Sequence, residues 1–151
     1  MRRSFLKILG FSFVSYLLIP LSSILAATKT LFNKNLTDEQ KDIMFNEGTE
    51  RPFSSELNKE SRKGFYHCAN CGAKLFASTS KFDSGTGWPS FSEALPGAFK
   101  TKVDRKFGMV RTEYHCAKCG VHHGHVFNDG PSKNGKRFCN NGLCLIFKPS
   151  N

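Results

Sequence analysis

Hydrophobic residues are arranged in two ways along this chain. Near the N-terminus they form an apolar run from about residue 8 to residue 25, which follows a start with three positive charges and ends at Ala26-Ala27. This order is typical of a secretory signal peptide. We therefore predict a cleaved signal peptide over residues 1–26. The alternative is an uncleaved membrane anchor, since the run is long enough to cross a bilayer.

The charged start also predicts a destination. Arg2-Arg3-Ser4-Phe5-Leu6-Lys7 resembles the twin-arginine signal of bacterial export, although adjacent arginines are common in signals of the general secretory route as well. We predict export to a bacterial periplasm by one of these two routes. Membrane contact is expected only through an uncleaved signal.

A short linker over residues 27–36 precedes one predicted helix. Thr37 can cap this helix, and Gln40 three residues later completes a capping box. Acidic residues in the first turn suit the positive end of the helix dipole. Gly48 is expected to end the helix, and Pro52 makes its continuation unfavourable.

From Gly64 onward, short aromatic or β-branched segments alternate with turn-forming clusters rich in Gly, Pro, Asn and Asp. Such segments are typical of strands, and we predict strands over residues 64–67, 74–77, 98–101, 109–114, 124–127 and 144–147. No segment after residue 52 sustains a helical period. The pattern predicts a mainly β, antiparallel domain over residues 37–149, with one or two short helices at its N-terminal edge.

The charge of the chain does not identify a partner. The formal net charge is +10, and loss of residues 1–26 removes three of the 22 positive charges and none of the 12 negative ones, which leaves +7. A surplus of this size permits nucleic-acid binding without requiring it, and the lysines are scattered. We expect no nucleic-acid partner. The alternative is a nucleic-acid-binding zinc protein, and salt-dependent binding of DNA or RNA would support it.

Four of the six cysteines form a duplicated Cys-x-x-Cys-Gly pattern: Cys68, Cys71, Cys116 and Cys119. Two such pairs are typical of a four-thiolate zinc site, in which no coordination position stays open for catalysis. We predict a structural Zn2+ that holds two distant hairpins together. Structural disulfides in an exported protein and a redox-active Cys-x-x-Cys are the alternatives. The zinc content and the number of free thiols distinguish them.

The remaining cysteines, Cys139 and Cys144, have different surroundings. Lys136 and Arg137 precede Cys139, and cations close to a thiol favour the thiolate. On these local features alone, a buried structural cysteine is the alternative. A glycine-rich loop carries the only tryptophan, Trp88, and three histidines follow the second Cys-x-x-Cys pair.

Together these segments closely resemble the B-type peptide-methionine (R)-S-oxide reductases, from about Thr37 to Phe147. The matching motifs lie in the family's order, at residues 49–54, 68–72, 81–91, 108–113, 116–120, 122–127 and 137–141. The resemblance implies two antiparallel sheets with short helices and a zinc opposite the active site. It also implies reduction of the R epimer of methionine sulfoxide in proteins through a cysteine sulfenic acid, reset by a thioredoxin-like dithiol.

The resemblance further assigns roles to individual residues. It makes Cys139 the nucleophile, and it implies acid-base or polarising groups at His122, His125 and Asn141. Trp88 and Phe127 correspond to the substrate-binding wall, and Asp129 and Arg137 to a supporting charged pair. His123 falls where the family commonly has an apolar residue, and it receives no role. The expected partners are oxidised proteins and a thioredoxin-like reductant, and we expect a monomer.

One position departs from many members of the family. They carry a resolving cysteine two residues before the tryptophan, where this chain has Thr86. Cys144 lies five residues after the nucleophile, where Ser or Ala is usual. It is a candidate resolving thiol, and packing on a strand is the alternative. The third option is direct attack on the sulfenic acid by an external thiol.

Overall fold

The computed structural model describes residues 28–150. The predicted signal peptide over residues 1–26 and its twin-arginine motif lie outside this range, so cleavage and export stay predictions. Within residues 28–150, every helix is too short or too polar to cross a membrane.

The described residues form two antiparallel sheets, as predicted. The strands are β1 (Gly64–Cys68), β2 (Lys74–Ala77), β3 (Lys81–Phe82), β4 (Ser90–Phe91), β5 (Phe99–Asp104), β6 (Arg111–Cys116), β7 (His122–Phe127), β8 (Arg137–Asn140) and β9 (Leu145–Pro149). The small sheet has the order β2-β1-β9 and the large sheet the order β3-β4-β8-β7-β6-β5. Consecutive strands are joined by hairpins in most places, but β8 lies between β4 and β7, and β9 pairs with β1.

Among the described residues, one α-helix, α1 (Asp38–Asn46), precedes the sheets. The predicted capping box is confirmed, because the Thr37 hydroxyl accepts from the Gln40 N–H and the Gln40 side chain accepts from the Thr37 N–H. The helix ends at Asn46, and Glu47 takes a left-handed conformation with φ 63°. A short 3-10 turn at Glu56–Asn58 follows. Both elements agree with the predicted N-terminal helices.

The sequence pattern does not predict three of the strands, and three predicted strands begin later in the structure, at Phe99, Arg111 and Leu145. β3 and β4 have two residues each, too few for a hydrophobic period. β8 reads Arg-Phe-Cys-Asn, which has no alternation of apolar and polar residues. Met109 and Val110 are predicted to lie in a strand, but they lie exposed in the connection between β5 and β6, because the pairing of these strands ends at Asp104 and Arg111.

An aromatic core lies between the sheets. Phe76 of the small sheet stacks on Phe91 of the large sheet, with ring centroids 4.0 Å apart, and Tyr66 meets the same ring edge-on at 4.8 Å. Phe99 and Tyr114 extend this cluster across the large sheet at 4.6 Å. Each buried aromatic side chain contributes roughly 1.5–3 kcal/mol. This core holds the strands that carry the site described below.

His123 is the polar exception within this core. Its side chain is fully buried, and within residues 28–150 neither ring nitrogen has a hydrogen-bond partner. The ring packs 5.4 Å from Phe99 and 6.5 Å from Tyr114. Burial lowers the pKa of His123 to about 3. An unfolded histidine has a pKa of about 6.5. Below this pH the unfolded chain therefore binds a proton at His123, whereas the native chain does not.

We therefore expect His123→Leu to stabilise the protein increasingly as the pH falls. Burial of the neutral histidine lowers the free energy of unfolding, and this loss grows by roughly 1.4 kcal/mol per pH unit as the pH drops below about 6.5. At pH 7.5 the gain in unfolding free energy should be about 1–2 kcal/mol, because an unpaired buried polar group disappears. Urea unfolding of variant and wild type at pH 7.5 and 5.5 measures the difference. His67→Leu, at a partly exposed ring, is the matched control, and equal pH slopes for His123→Leu and wild type would contradict the prediction.

Candidate active site and metal centre

A cavity of about 170 Å³ opens on the large sheet. Its wall contains five predicted site residues: Trp88, His125, Phe127, Cys139 and Asn141. His125 and Cys139 are direct cross-strand partners on β7 and β8, and directly opposite side chains share one face of a sheet. The remaining lining residues are Thr49, Arg111, Gly124 and Asn140. The cavity therefore presents a thiol, an imidazole and two aromatic rings to one small volume.

Cys139 is partly buried in this cavity. Burial raises the pKa of the Cys139 thiol, while the Arg137 guanidinium and the Thr86 hydroxyl act in the opposite direction. Arg137 itself is buried and donates two parallel hydrogen bonds to Asp129, both 2.8 Å long. Its guanidinium also lies 4.4 Å from the centre of the Phe127 ring. Asp129 thus orients the cation that favours the Cys139 thiolate, and the supporting role of this pair stays a prediction.

His125 is held by a carboxylate that the sequence did not reveal. Asp104 stays ionised, since a backbone hydrogen bond from Lys106 and side-chain bonds from His125 and Arg111 lower its pKa to about 2. Its Oδ2 lies 2.9 Å from His125 Nε2 and 2.6 Å from Arg111 Nη2. Because an ionised carboxylate only accepts, the His125 Nε2 donates. Burial lowers the pKa of His125, which outweighs the opposing hydrogen bond to Asp104.

Asn141 has an amide that is engaged on both sides. Its Oδ1 accepts from the Glu50 N–H at 3.0 Å, and its Nδ2 donates to the His123 carbonyl at 3.1 Å. The Glu50 carboxylate accepts from the N–H groups of the two residues that follow Asn141, at 2.6 and 2.9 Å. The Glu50 carbonyl accepts from the Trp88 indole at 3.1 Å. Glu50 therefore fixes both Asn141 and Trp88, a role that the sequence did not predict.

His122 lies beside the main cavity and not in its wall. Its side chain is 1% exposed, and its Nε2 is 3.5 Å from Asn141 Nδ2. It lines a smaller adjoining cavity of about 60 Å³ together with Glu113 and His125. The role predicted for His122 stays a prediction, and its geometry assigns it a place behind Asn141.

Cys144 lies in the 3-10 turn Gly142–Cys144, immediately before β9. It is completely buried, and its thiol lies 3.6 Å from the His122 carbonyl oxygen. Burial raises the pKa of Cys144 well above the ordinary value of a thiol. Its assignment as a resolving cysteine therefore stays a prediction, whereas the packing alternative matches these surroundings.

The four remaining cysteines meet where the two sheets approach each other. Cys68 and Cys116 end β1 and β6, and Cys71 and Cys119 lie in the turns that follow. Sulfur pairs from different hairpins are 3.6 and 3.7 Å apart, and the four sulfurs lie within 4.8 Å of one another. Tetrahedral Zn–S bonds of about 2.3 Å give sulfur separations of about 3.8 Å. The cluster therefore fits one metal ion, and its separations far exceed the ~2.05 Å of a disulfide.

The glycine after each Cys-x-x-Cys pair allows the turn around the cluster. Gly72 and Gly120 have φ of 70° and 74°, a conformation that residues with a side chain rarely adopt. Each donates its N–H to the carbonyl of the first cysteine of its pair at 2.8 Å. The turn therefore brings both sulfurs of a pair to one side.

Comparisons with known proteins agree with this arrangement. The family model described as SelR domain matches residues 36–149. A "Peptide methionine sulfoxide reductase MsrB" of Variovorax paradoxus is 58% identical over 101 residues, which cover 66% of this chain and 74% of that protein. One of the same name from Agrobacterium fabrum is 49% identical over 119 residues, which cover 78% of this chain and 88% of that protein. Among solved structures, the Mis18 "Yippee-like" domain reaches a TM-score of 0.49 at 16% identity, covering 60% of this chain and 99% of that one, too weak a likeness to inform the fold.

Proposed function

The chain belongs to the SelR-domain family of MsrB peptide methionine sulfoxide reductases, and from this premise we propose that it reduces the R epimer of methionine sulfoxide in proteins. The family makes it an oxidoreductase that reduces methionine sulfoxide. The observation that carries the finer proposal is the pairing of Cys139 with His125 in one cavity beside Trp88. These groups supply the nucleophile, a hydrogen-bonding imidazole and an apolar wall.

The reaction transfers one oxygen atom. The Cys139 thiolate attacks the sulfur of the protonated sulfoxide and forms a bond from Sγ to that sulfur. The hydroxyl oxygen then moves to Sγ while the sulfur–oxygen bond of the substrate and the new sulfur–sulfur bond break, so that methionine leaves and Cys139 remains as a sulfenic acid. The leaving oxygen must be protonated or strongly hydrogen-bonded before the bond breaks, and an imidazole performs this step near neutral pH. His125 lines the cavity directly opposite Cys139, Asn141 belongs to the same wall, and His122 lies behind Asn141.

The apolar side of the cavity supports the choice of epimer. Trp88 and Phe127 line it, and both are held in place, Trp88 by the Glu50 carbonyl and Phe127 by the Arg137 guanidinium above its ring. If this rigid wall receives the S-methyl group, the oxygen of only one epimer is directed towards His125. The opposite epimer would direct its oxygen to the aromatic wall, where no donor stabilises it.

Recycling in this proposal uses an external, thioredoxin-like dithiol. Two thiols reduce the sulfenic acid, with loss of water and formation of one disulfide in the reductant. Thr86 cannot serve as a resolving thiol, and Cys144 is buried with its thiol directed at the His122 carbonyl. These features support direct attack on the Cys139 sulfenic acid. The predicted signal peptide over residues 1–26 supports our further proposal that the enzyme acts in the bacterial periplasm.

We propose Zn2+ as the ion of the four-cysteine cluster. Four thiolate donors at tetrahedral separations suit zinc, and they leave no open coordination position. The ion would hold the β1–β2 turn of the small sheet against the β6–β7 turn of the large sheet. It would make the domain more rigid and would take no part in the reaction.

The proposed specificity is tested with the two separated epimers of a peptide-bound methionine sulfoxide. We expect the mature protein with a dithiol reductant to convert the R epimer and to leave the S epimer unreacted. Chromatographic measurement of methionine release from each epimer gives the two rates. A matched sample without reductant should release one methionine per chain. Conversion of the S epimer alone, or of neither epimer, would contradict the proposal.

A further inference from the structure

Glu113 on β6 is a buried carboxylate that no part of the proposed reaction uses. Its side chain is 2% exposed. It lies directly across from His125 on β7 and from Lys102 on β5. Its Oε1 is 2.5 Å from His122 Nδ1 and 3.0 Å from His115 Nε2, and its Oε2 is 3.3 Å from Lys102 Nζ. A buried carboxylate is costly unless it is paired and hydrogen-bonded, so this arrangement requires an explanation.

The charge state of Glu113 determines the tautomer of His122. Burial would raise the pKa of Glu113, but the close His115 imidazole and the hydrogen bond from His122 hold it well below its usual range. The ionised carboxylate can only accept, so His122 Nδ1 must carry a proton. The neutral ring then has its lone pair on Nε2, which faces the Asn141 amide at 3.5 Å.

We propose that Glu113 is a positioning residue, which keeps the proton of His122 on Nδ1 and directs Nε2 towards the reaction cavity. The inference rests on the proposed function and deepens it, because it explains how a histidine behind the cavity wall is oriented. A histidine whose second nitrogen is bound by a carboxylate has a fixed ring orientation and tautomer. Without that bond, His122 would share its proton between both nitrogens.

A chain of ion pairs connects Glu113 to the protein surface. Lys102 contacts Glu113 and also Glu47, whose carboxylate binds Lys29 and Lys106 as well. Glu47 is the left-handed residue that ends α1, with φ 63°, and this unfavourable conformation brings its carboxylate to the lysines. The end of α1 therefore supports Lys102, which in turn compensates the charge of Glu113.

The same cluster has an alternative interpretation as a metal site. Donor atoms of Glu113, His115 and His122 lie within 4.8 Å of one another. However, the Lys102 ammonium lies 3.3 Å from one carboxylate oxygen, and His122 already donates to the other. An added cation would meet the field of the ammonium group at close range. We therefore assign this carboxylate to imidazole orientation.

The test compares Glu113→Gln with His115→Gln. The amide side chain of the first variant carries no charge and can turn its NH2 towards the ring, so it does not enforce the tautomer. We expect kcat for the R epimer to fall roughly 10²-fold, the usual contribution of a positioned acid-base group, with KM changed less than twofold. His115→Gln removes the other imidazole from the same carboxylate and should leave kcat within about threefold, since the effect of a hydrogen bond outside the reaction path is of that order.

Nitrogen NMR of the histidine rings supplies the readout that a structural role would not change. We expect His122 to be protonated on Nδ1 in the wild type and in His115→Gln. In Glu113→Gln we expect a mixture of the two tautomers. The metal content should be unchanged in all three proteins. Wild-type His122 protonated on Nε2 would overturn the proposal, even if Glu113→Gln fails to fold. So would equal losses of kcat and metal in both variants. Absence of wild-type activity would refute the proposed function instead, and the NMR result would still decide the role of Glu113.

Discussion

Cys139→Ser is expected to lower turnover of the R epimer by at least about 10⁴-fold, the scale seen when a catalytic nucleophile is removed. A hydroxyl is a far poorer nucleophile towards sulfur, and serine cannot become a sulfenic acid. The substitution leaves the backbone contacts of this strand in place, such as the hydrogen bond from the Tyr114 hydroxyl to the Cys139 carbonyl at 3.1 Å. The fold and the four-cysteine cluster should therefore be unchanged. Methionine release with excess dithiol measures the loss.

Cys144→Ser is the matched control for this experiment, since it makes the same atomic change at the other unclustered thiol. It should release one methionine per chain without reductant, as the wild type does. Normal turnover with a thioredoxin-like reductant would show that Cys144 only packs and that the external dithiol attacks Cys139. Single-turnover release with lost dithiol turnover would make Cys144 the resolving thiol. Full activity of Cys139→Ser would refute the proposed nucleophile.

Cys116→Ser is expected to lose the metal and with it most of the folded population. Binding of a structural zinc contributes about 10–16 kcal/mol in small zinc domains, which is comparable to the whole stability of a domain, about 5–15 kcal/mol. Cys116 ends β6 and its sulfur lies 3.6 Å from Cys71, so the substitution separates the hairpins of the two sheets. Elemental analysis gives the metal content, and urea unfolding gives the stability.

The same measurements on Cys144→Ser separate metal loss from the loss of any buried thiol. Both cysteines are buried, but only Cys116 belongs to the cluster. Cys144→Ser should keep one metal per chain and unfold cooperatively. A folded wild type that contains no metal would refute the predicted centre. A Cys116→Ser protein as stable as the wild type would refute its contribution to folding.

Features that depend on residues close in sequence could be predicted without the structure. The capping box at Thr37 and Gln40 satisfies backbone groups within one helical turn, and each Cys-x-x-Cys-Gly turn closes within five residues. The strands β1, β2 and β7 have enough aromatic and β-branched residues to be recognised. The site residues were chosen by resemblance to a family, and five of them line one cavity.

Only the tertiary structure revealed the groups that hold these residues in place. Glu50, Asp104 and Glu113 reach Asn141, His125 and His122 across 91, 21 and 9 positions of the chain. Such contacts depend on strand register, and no local pattern specifies which residues of two distant strands lie opposite each other. β8 illustrates this, because its four residues show no alternation and become a strand only between β4 and β7. Short sequence motifs therefore indicate which residues are reactive. The orientation of their side chains and the positions of their protons depend on contacts between strands that are distant in sequence.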